Sequence, residues 1–252
     1  LSGTSEILGV SSTKVVPTPG VIIFPESHGL RLHAAPTQNG GDAKLWFSQV
    51  SGVSLEEMSA MVAETKRSSS TPLFLPQLEG ERAPYWDADL RAAFLGVSRK
   101  TSLPDLARAV YEGVAFSAYQ ALDILEKSSS VDNDVIFCGG GGFRSEAWTQ
   151  IRANVLNKSL KIMLYGEPGV LGAAILAAVG SGIFSSFEAA SASFSRYSSL
   201  YYPDSKETDV YLSIFEILIT SSIKSRLIFS FSSPNAILFA IVSSKIELCW
   251  GT

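Results

Sequence analysis

Short apolar runs separated by turn residues make up the first fifty positions of the chain. Apolar or alternating positions cover residues 7–10, 21–24 and 30–34, and turn-forming residues occupy 18–20 and 26–27. Runs of this length, bounded by residues such as glycine, proline and serine, are typical of β-strands. We therefore expect the chain to begin with a β-meander.

Two later segments have the apolar spacing of amphipathic helices. Ser54 followed by Glu57 is a capping-box pattern, and the spacing after it predicts a helix over Leu55–Glu64. Pro104 opens the strongest helical pattern, which we expect to pack against a sheet. Glycine costs a helix about 1 kcal/mol relative to alanine, so Gly113 predicts a close approach of backbones. The apolar stripe of this helix consists of Leu106, Val110, Val114, Ala118, Leu122 and Leu125.

The most informative segment is an apolar run that ends in four glycines and restarts as a helix. Val135–Cys138 predicts a strand, residues 139–142 are all glycine, and a helix is expected over 146–157. Because glycine has no Cβ, such a loop can bring backbone amides against a nucleotide. A simple strand-to-helix turn is the alternative, although one or two glycines would suffice for it. The four glycines favour a loop that faces a ligand.

Two common nucleotide-binding loops do not fit this segment. A Walker-type loop needs lysine followed by serine or threonine after its last glycine, whereas Phe143, Arg144 and Ser145 stand here. A dinucleotide-binding fold has its glycine fingerprint on the first strand, and this loop lies past the middle of the chain. The pattern excludes a P-loop and disfavours a dinucleotide-binding fold.

The pattern after the glycine loop continues as strand and helix and then changes character. A strand is expected near 161–165, and a helix of small residues after the turn at 166–169 predicts tight packing onto the sheet. This tandem order predicts an α/β layer. From about residue 219 the sequence follows neither period. We therefore expect one domain over 1–218 and an atypical tail, truncated or frame-shifted, over 219–252.

A connection rich in proline and charge is expected between the first two helices. It covers residues 72–89 and includes a mixed charged and aromatic stretch from Glu79 to Asp87. Long connections of this composition often form a functional lip, and a network of salt bridges at the rim explains the pattern equally well. Both interpretations remain open at this point.

Composition narrows the classes of partner and location. The chain has 252 residues, of which 46% are hydrophobic and 17% charged, so it can bury a sizeable core. Its net charge is −4 and its lysines and arginines are scattered, so nucleic acid is not an expected partner. No apolar stretch reaches the roughly 18 residues of a membrane helix, and the start carries no signal-peptide pattern. We expect a cytoplasmic chain without membrane contact that begins inside a longer protein.

The cysteines and histidines give no pattern of a disulfide or a metal site. Cys138 ends a predicted strand and Cys249 lies in the tail, which suggests a reducing compartment. His28 and His33 lie in an apparent loop and strand without metal-ligand spacing, so we expect surface or packing roles. No structural metal is expected.

Several short motifs occur in a fixed order over residues 1–218. Any one of these motifs is weak, whereas their order and spacing together are specific. The motifs are Gly3-Thr4-Ser5, the Gly-Gly-Asp-Ala stretch at 40–43 with Trp46, Gly-Glu-Arg-Ala-Pro at 80–84, Arg-Ala-Val-Tyr-Glu-Gly at 108–113, the glycine loop with Ser145 and Trp148, and Leu-Gly-Ala-Ala at 171–174. Taken together, they resemble the motifs of the FGGY carbohydrate kinases, and within that family those of the bacterial xylulokinases.

The resemblance implies an α/β fold, an actin-like, ribonuclease H-like ATPase domain that is the C-terminal half of a two-domain sugar kinase. It further implies that ATP and Mg²⁺ bind in the cleft and that a sugar hydroxyl is phosphorylated. The residues that it assigns to ATP are Gly3, Thr4 and Ser5 at the β- and γ-phosphates, Gly140, Gly141 and Gly142 under the α-phosphate and ribose, and Ser145 at the nucleoside.

The resemblance also implies parts that this chain does not contain. Phosphoryl transfer to a hydroxyl needs a carboxylate that takes the hydroxyl proton. We expect that aspartate, the magnesium-side aspartate and most of the sugar pocket upstream of Leu1, so we assign no catalytic residue. Arg108 and Glu112 have the spacing of an ordinary intrahelical ion pair. Phe143 replaces the usual small residue of the loop and is expected to narrow the purine pocket.

Two functions remain open at this point. The first is the ATP-binding half of a kinase for a pentulose such as D-xylulose, inactive without the missing N-terminal domain. The second is a catalytically dead nucleotide-binding or interaction remnant. ATP and a small-molecule sugar are the expected ligands, and a homodimer is possible under either interpretation.

Overall fold

The computed structural model of the chain describes residues 1–216. Main-chain packing divides the chain into two units, Leu1–Ile214 and Phe215–Thr252. The expected domain boundary at 218 and the tail over 219–252 lie outside the described residues and stay predictions. None of the helices in the described part is both long and apolar enough to cross a membrane.

A small antiparallel sheet opens the chain. Its strands are β1 (Ile7–Ser12), β2 (Ile22–Ile23) and β3 (Arg31–Pro36), in the order β1-β3-β2. The three predicted strands are confirmed. The predicted meander is wrong, because β3 pairs with both other strands: Ala34 lies opposite Gly9 on one side and Ile22 on the other.

Two helices and a short hairpin follow this sheet. α1 (Gly41–Ser51) was not predicted, whereas α2 (Leu55–Glu64) has the predicted bounds. The capping box of α2 is present, since the Glu57 amide donates to the Ser54 hydroxyl at 3.2 Å and the Glu57 carboxylate accepts from the Ser54 amide at 2.9 Å. The hairpin consists of β4 (Leu73–Leu75) and β5 (Ala93–Leu95), so the connection expected over 72–89 begins as a strand.

The long helix α3 (Leu103–Ser129) is the centre of the domain. It contacts the strands β1, β3 and β4 and the helices α1, α2 and α4. Most of its residues between 105 and 121 are buried, more than the one apolar stripe that was predicted. A Cβ on Gly113 would overlap with the carbonyl oxygen of Phe74, which confirms the predicted close approach of backbones.

A second sheet follows α3 and carries the glycine loop. Its order is β6-β7-β8, with β6 and β7 parallel and β7 and β8 antiparallel. This arrangement confirms the predicted α/β layer, although β7 starts earlier than expected. The elements are β6 (Val135–Cys138), a 3₁₀-helix (Gly141–Arg144), α4 (Glu146–Leu156), β7 (Ser159–Met163), α5 (Pro168–Gly180), α6 (Phe187–Phe194), β8 (Tyr197–Tyr201) and a helix α7 that covers residues 205–216.

The small-residue helix α5 does not pack as predicted. Ala178 is its only buried residue, and Val170 and Leu176 are 69% and 62% exposed. Its main contacts are with α6. The prediction of tight packing onto the sheet is therefore wrong, because small side chains permit close contact without requiring a sheet as the partner.

Candidate functional site

Residues 2–5, called here the N-terminal turn, lie between two glycine segments that are distant in sequence. The Ser2 amide donates to the Gly139 carbonyl oxygen at 3.0 Å, and the Gly142 amide donates to the Ser2 carbonyl oxygen at 3.0 Å. On the other side, the Gly41 amide donates to the Gly3 carbonyl oxygen at 2.8 Å. The fold therefore brings the predicted residues 3–5 and 140–142 together.

The glycines at these contacts are required by the close approach of backbones. A Cβ on Gly41 would lie 2.6 Å from the Gly3 carbonyl oxygen, and one on Gly140 or Gly142 would overlap with Ser2. Gly140 also has a φ of +103°, a backbone conformation that residues with a side chain rarely adopt. Gly141 has nothing within 4 Å of a Cβ position. Part of the glycine run thus serves packing, and Gly141 is the member that faces open space.

Backbone amides on the exposed side of these segments fit an anionic ligand. Gly3, Thr4 and Gly141 are exposed. Within residues 1–216, the amides of Thr4 and Gly141 donate to no other group. Unpaired amides on adjacent segments are suited to phosphate oxygens, which accept several hydrogen bonds at once.

A buried ion pair lies beneath the N-terminal turn. The Arg152 Nη2 donates to the Ser2 hydroxyl at 2.8 Å and pairs with the Glu6 carboxylate, and Nη1 donates to the Gly142 carbonyl oxygen at 3.3 Å. The Ser2 hydroxyl donates to Glu6 at 2.7 Å. Burial lowers the pKa of Arg152, and Glu6 opposes that shift. We call Ser2, Glu6, Gly142 and Arg152 the Arg152 cluster.

The Trp148 ring is contacted by two cations. The Arg152 guanidinium lies 3.5 Å from the ring centroid and the Lys44 ammonium 3.6 Å from it. Aromatic faces attract cations in this way. Burial and, to a smaller extent, the positive charge of Arg152 together lower the pKa of Lys44 to about 7, although Glu6 opposes both effects. The Trp148 indole itself is fixed, since its Nε1 donates to the Tyr111 carbonyl oxygen at 3.0 Å.

Ser145 is the N-cap of α4. Its hydroxyl accepts from the Trp148 amide at 3.3 Å and shares a hydrogen bond of 2.8 Å with the Ser59 hydroxyl. Ser145 and Ser59 also form hydrogen bonds with the Tyr111 hydroxyl. The pKa of Tyr111 is raised to about 12 because its burial outweighs these hydrogen bonds, which lower it. Ser145 therefore has a structural role, and its predicted contact with the nucleoside stays a prediction.

Phe143 packs towards the protein interior. Its ring contacts the core cluster that contains Leu156 and Leu160, and the Arg152 guanidinium lies 4.7 Å from its centroid. The ring therefore helps to fix the glycine loop on the core. The structure gives no support to the expected narrowing of a purine pocket.

Asp42 is a candidate functional residue that the sequence analysis did not select. It lies in the first turn of α1, and its amide donates to the Thr4 carbonyl oxygen at 3.2 Å. Its Oδ1 accepts from the Gly40 amide at 2.7 Å and the Ala43 amide at 2.8 Å. Oδ2 has no hydrogen-bond partner in the described part of the chain. The signal was present, because the Gly-Gly-Asp-Ala motif includes this aspartate, but its carboxylate was not considered.

Glu81 supports the segment that leads to Asp42. It is buried and accepts from the amides of Gln38 at 2.5 Å and Arg82 at 2.9 Å and from the Ser117 hydroxyl at 3.2 Å. Burial raises the pKa of Glu81, and these hydrogen bonds oppose the shift. This carboxylate of the 72–89 connection is thus an interior support, which is neither a lip nor a rim salt bridge.

A second buried ion cluster joins α3 to α7. The Arg108 Nε donates to Glu112 at 2.8 Å and its Nη2 donates to the Tyr211 hydroxyl at 2.8 Å. The Tyr211 hydroxyl donates to Glu112 at 3.0 Å, and Arg67 pairs with the other carboxylate oxygen. The predicted ion pair between Arg108 and Glu112 is confirmed. We call Arg67, Arg108, Glu112 and Tyr211 the Arg108 cluster.

The histidines have the packing and surface roles that were expected. His33 is buried and its Nδ1 is hydrogen-bonded to the Ser128 hydroxyl at 2.8 Å, whereas the His28 ring lies edge-on to Phe187 at 4.9 Å. Over residues 1–216, no three histidine, cysteine or acidic side chains come together as metal ligands.

Comparisons with known proteins give relatives both in sequence and in structure. The xylulose kinase of Staphylococcus epidermidis is 33% identical over 174 residues, which are 68% of this chain and 35% of that protein. The ligand-bound xylulose kinase of Lactobacillus acidophilus matches with a TM-score of 0.82 and 28% identity, covering 92% of this chain and 47% of that one. The gluconate kinase of the same organism matches with a TM-score of 0.81 and 27% identity, with the same coverage.

The chain spans about a third to a half of the length of these relatives. Their structures confirm the predicted fold class, a domain of the actin-like, ribonuclease H-like ATPase fold found in two-domain sugar kinases. Residues 1–181 match the model of the C-terminal domain of FGGY carbohydrate kinases. The chain therefore belongs to the FGGY family of carbohydrate kinases.

Proposed function

We propose that this chain supplies the ATP-binding half of a kinase that phosphorylates a hydroxyl of a pentulose such as D-xylulose. The observation that carries the proposal is the pair of adjacent exposed segments whose Thr4 and Gly141 amides donate to no other group in the described residues. In phosphoryl transfer, negative charge spreads over the phosphate oxygens, and fixed amide donors stabilise it without reorganisation.

Each predicted site residue has a role in this proposal. Gly3, Thr4 and Ser5 bind the β- and γ-phosphates through amides and a hydroxyl, which is compatible with the exposure of Gly3 and Thr4. The glycines at 140–142 lie under the α-phosphate and ribose, with Gly141 closest to the ligand because nothing covers it. Ser145 contacts the nucleoside in addition to capping α4.

We further propose Asp42 as the base that takes the hydroxyl proton of the sugar. Two amides fix one carboxylate oxygen beside the N-terminal turn, and the other oxygen has no partner in the described residues. A general base must be held within hydrogen-bond reach of the proton that it removes. The sequence analysis expected this base upstream of Leu1, and the position of Asp42 makes a base within the chain the better supported proposal.

Mg²⁺ is expected to bind together with ATP. Magnesium is usually held by one or two carboxylates and by substrate phosphates, so it needs no cluster of protein ligands. When bound, the metal supplies positive charge that neutralises the phosphate oxygens.

The sugar and the second half of the enzyme are further parts of the proposal. D-xylulose is favoured because the relatives include xylulose kinases, while a gluconate kinase shares the fold at 27% identity. We propose that transfer requires the N-terminal domain, which contains most of the sugar pocket. The cytoplasmic location and a homodimer stay predictions.

The test is a calorimetric titration of the purified chain with Mg-ATP, alongside a coupled assay of ADP release with D-xylulose or D-gluconate. Binding without turnover supports an ATP-binding half, whereas turnover by the chain alone contradicts the need for a second domain. If a folded chain does not bind ATP, the alternative of a catalytically dead interaction remnant is favoured.

A substitution separates the base from the binding site. In the chain combined with an N-terminal half, Asp42→Asn should lower kcat by about 10² to 10⁴ and leave the Kd of ATP unchanged. Asp123→Asn, an exposed acid of α3 that pairs with Lys127, is the matched control and should change neither constant. An unchanged kcat in Asp42→Asn would contradict the assignment of the base.

A further inference from the structure

One buried guanidinium reaches both of the proposed phosphate-binding segments. Arg152 is bonded to the Ser2 hydroxyl at 2.8 Å, at the start of the N-terminal turn, and to the Gly142 carbonyl oxygen at 3.3 Å, in the glycine loop. It comes from α4, which belongs to neither segment. The three elements therefore meet at a single side chain.

The exposed part of the N-terminal turn is bracketed by the partners of this arginine. Ser2 and Glu6 lie on the two sides of residues 3–5, they are joined by a backbone bridge, and both are bonded to Arg152. Arg152 and Glu6 are 2% and 3% exposed. A buried pair of this kind resists rearrangement, because loss of either partner leaves an uncompensated charge in the interior.

Two aromatic rings also flank the guanidinium. It lies 3.5 Å from the centroid of Trp148 and 4.7 Å from that of Phe143, which is part of the glycine loop. Arginine can stack on rings and donate from several nitrogens at once, whereas lysine provides one point charge. The contacts made here use both properties.

We propose that Arg152 is a positioning residue that fixes the N-terminal turn relative to the glycine loop, so that amides from both can bind one triphosphate. This inference rests on the proposed ATP site. Donors on two segments bind one ligand well only if their spacing is set beforehand, and a misplacement of about 1 Å can reduce catalysis a hundredfold.

The test compares two buried arginines in the purified chain. Arg152→Lys should raise the Kd of Mg-ATP at least tenfold and lower the melting temperature. Arg108→Lys disrupts the remote Arg108 cluster, so it should lower the melting temperature by a similar amount and change the Kd less than twofold. Wild-type affinity in Arg152→Lys, or equal loss of affinity in both variants, would overturn the proposal.

Two further measurements keep the proposal testable. If Arg152→Lys does not fold, Ser2→Ala is used instead, because it removes one contact of Arg152 while the ion pair with Glu6 stays. We expect the Kd of Mg-ATP to rise threefold or more in this variant, and an unchanged Kd counts against the proposal.

If the wild-type chain does not bind ATP, the proposed function fails separately. In that case amide hydrogen exchange tests the positioning role of Arg152. Substitution of Arg152 should speed exchange in residues 2–5 and in residues 140–142 together. Faster exchange in only one of the two segments would refute the positioning role.

Discussion

The two buried arginine clusters differ in what surrounds them, although each joins a guanidinium to a glutamate. In the Arg108 cluster every nitrogen of the Arg108 guanidinium has a partner: Nε bonds Glu112, Nη2 bonds Tyr211, and Nη1 bonds the carbonyl oxygens of Val62 and Thr65. In the Arg152 cluster Nε has no partner within the described residues, and two aromatic rings flank the guanidinium instead.

This difference separates a buried clamp from a support for the proposed phosphate-binding loops. The Arg108 cluster joins α3 to α7 and to the segment after α2, where Arg67 lies. The full set of hydrogen bonds on the Arg108 guanidinium favours one rigid arrangement. The Arg152 cluster holds two irregular segments whose outer amides are unpaired, so its contacts determine where those amides point. The first cluster should therefore affect stability alone, and the second should affect stability and ligand binding.

The largest expected effect comes from removing the carboxylate of either cluster. Glu112→Ala removes the buried carboxylate that pairs with both Arg67 and Arg108 and leaves only the partly exposed Glu207 near Arg108, and breaking a buried pair costs about 3–5 kcal/mol of unfolding free energy. Glu6→Ala should cost a similar amount and also weaken ATP binding. Urea denaturation and calorimetry of both variants measure the two effects. A loss below about 1 kcal/mol in Glu112→Ala, the range of exposed pairs, would show that this cluster is not a buried clamp.

A smaller effect is expected at the glycines that touch the Arg152 cluster. Alanine at Gly142 would overlap with the Ser2 hydroxyl, so we expect a loss of about 1–3 kcal/mol, as for other overpacked sites, together with weaker ATP binding. Gly141→Ala is the matched control, since nothing lies within 4 Å of its Cβ position. It should change stability by less than about 0.5 kcal/mol. Equal losses of stability in both variants would mean that contact with Ser2 is not the cause.

Local patterns predicted the elements better than the contacts between them. The capping box at Ser54 gave the bounds of α2, and the apolar run before the glycines gave those of β6, because both depend on neighbouring residues. The sheet order β1-β3-β2 depends on pairing between distant strands, so it did not follow from the pattern. The packing of α5 on α6 was missed for the same reason.

The candidate site shows the same limit. The predicted glycines do meet the N-terminal turn, but the sequence did not show that Ser2 lies against the Cβ positions of Gly140 and Gly142. Their contact with ATP, which the resemblance implies, stays a prediction. Arg152 and Lys44 were not selected, because their importance depends on burial and on partners that are distant in sequence. Asp42 was visible in a motif, yet its place beside Thr4 required the fold.

Removal of the single Tyr211 hydroxyl should distinguish the two clusters by their effect on ATP binding, with only a moderate loss of stability. Tyr211→Phe leaves Arg108 and Glu112 each without one partner, and an unmade buried hydrogen bond costs about 1–3 kcal/mol. The Kd of Mg-ATP should stay within twofold of the wild-type value. Thermal denaturation and calorimetry check both statements, and weakened binding would show that the Arg108 cluster also supports the ligand site.

The smallest expected effect is the pH dependence caused by Lys44. Its pKa is about 7 in the folded chain against an ordinary value of 10.5. Below pH 7 Lys44 is protonated in both the folded and the unfolded state. Between pH 7 and 10.5 the unfolded chain binds more protons than the folded chain, so the free energy of unfolding should rise with pH. Lys44→Met should remove this rise. Because Lys44 retains some contact with solvent, we expect a difference of a few tenths of a kcal/mol per pH unit, below the limit of about 1.4 for one proton.

The comparison between Lys44→Met and the wild type is best made between pH 7 and 9. Burial raises the pKa of Cys138 from 9.0 to about 12. Above pH 9 the Cys138 thiol is therefore still protonated in the folded state and loses its proton in the unfolded state, so the free energy of unfolding falls with rising pH. That fall is common to both proteins and cancels in their difference. A difference that does not change with pH would mean that Lys44 keeps its ordinary pKa. The Lys44 ammonium would then remain charged at neutral pH, so the Trp148 ring would always contact two cations, Arg152 and Lys44.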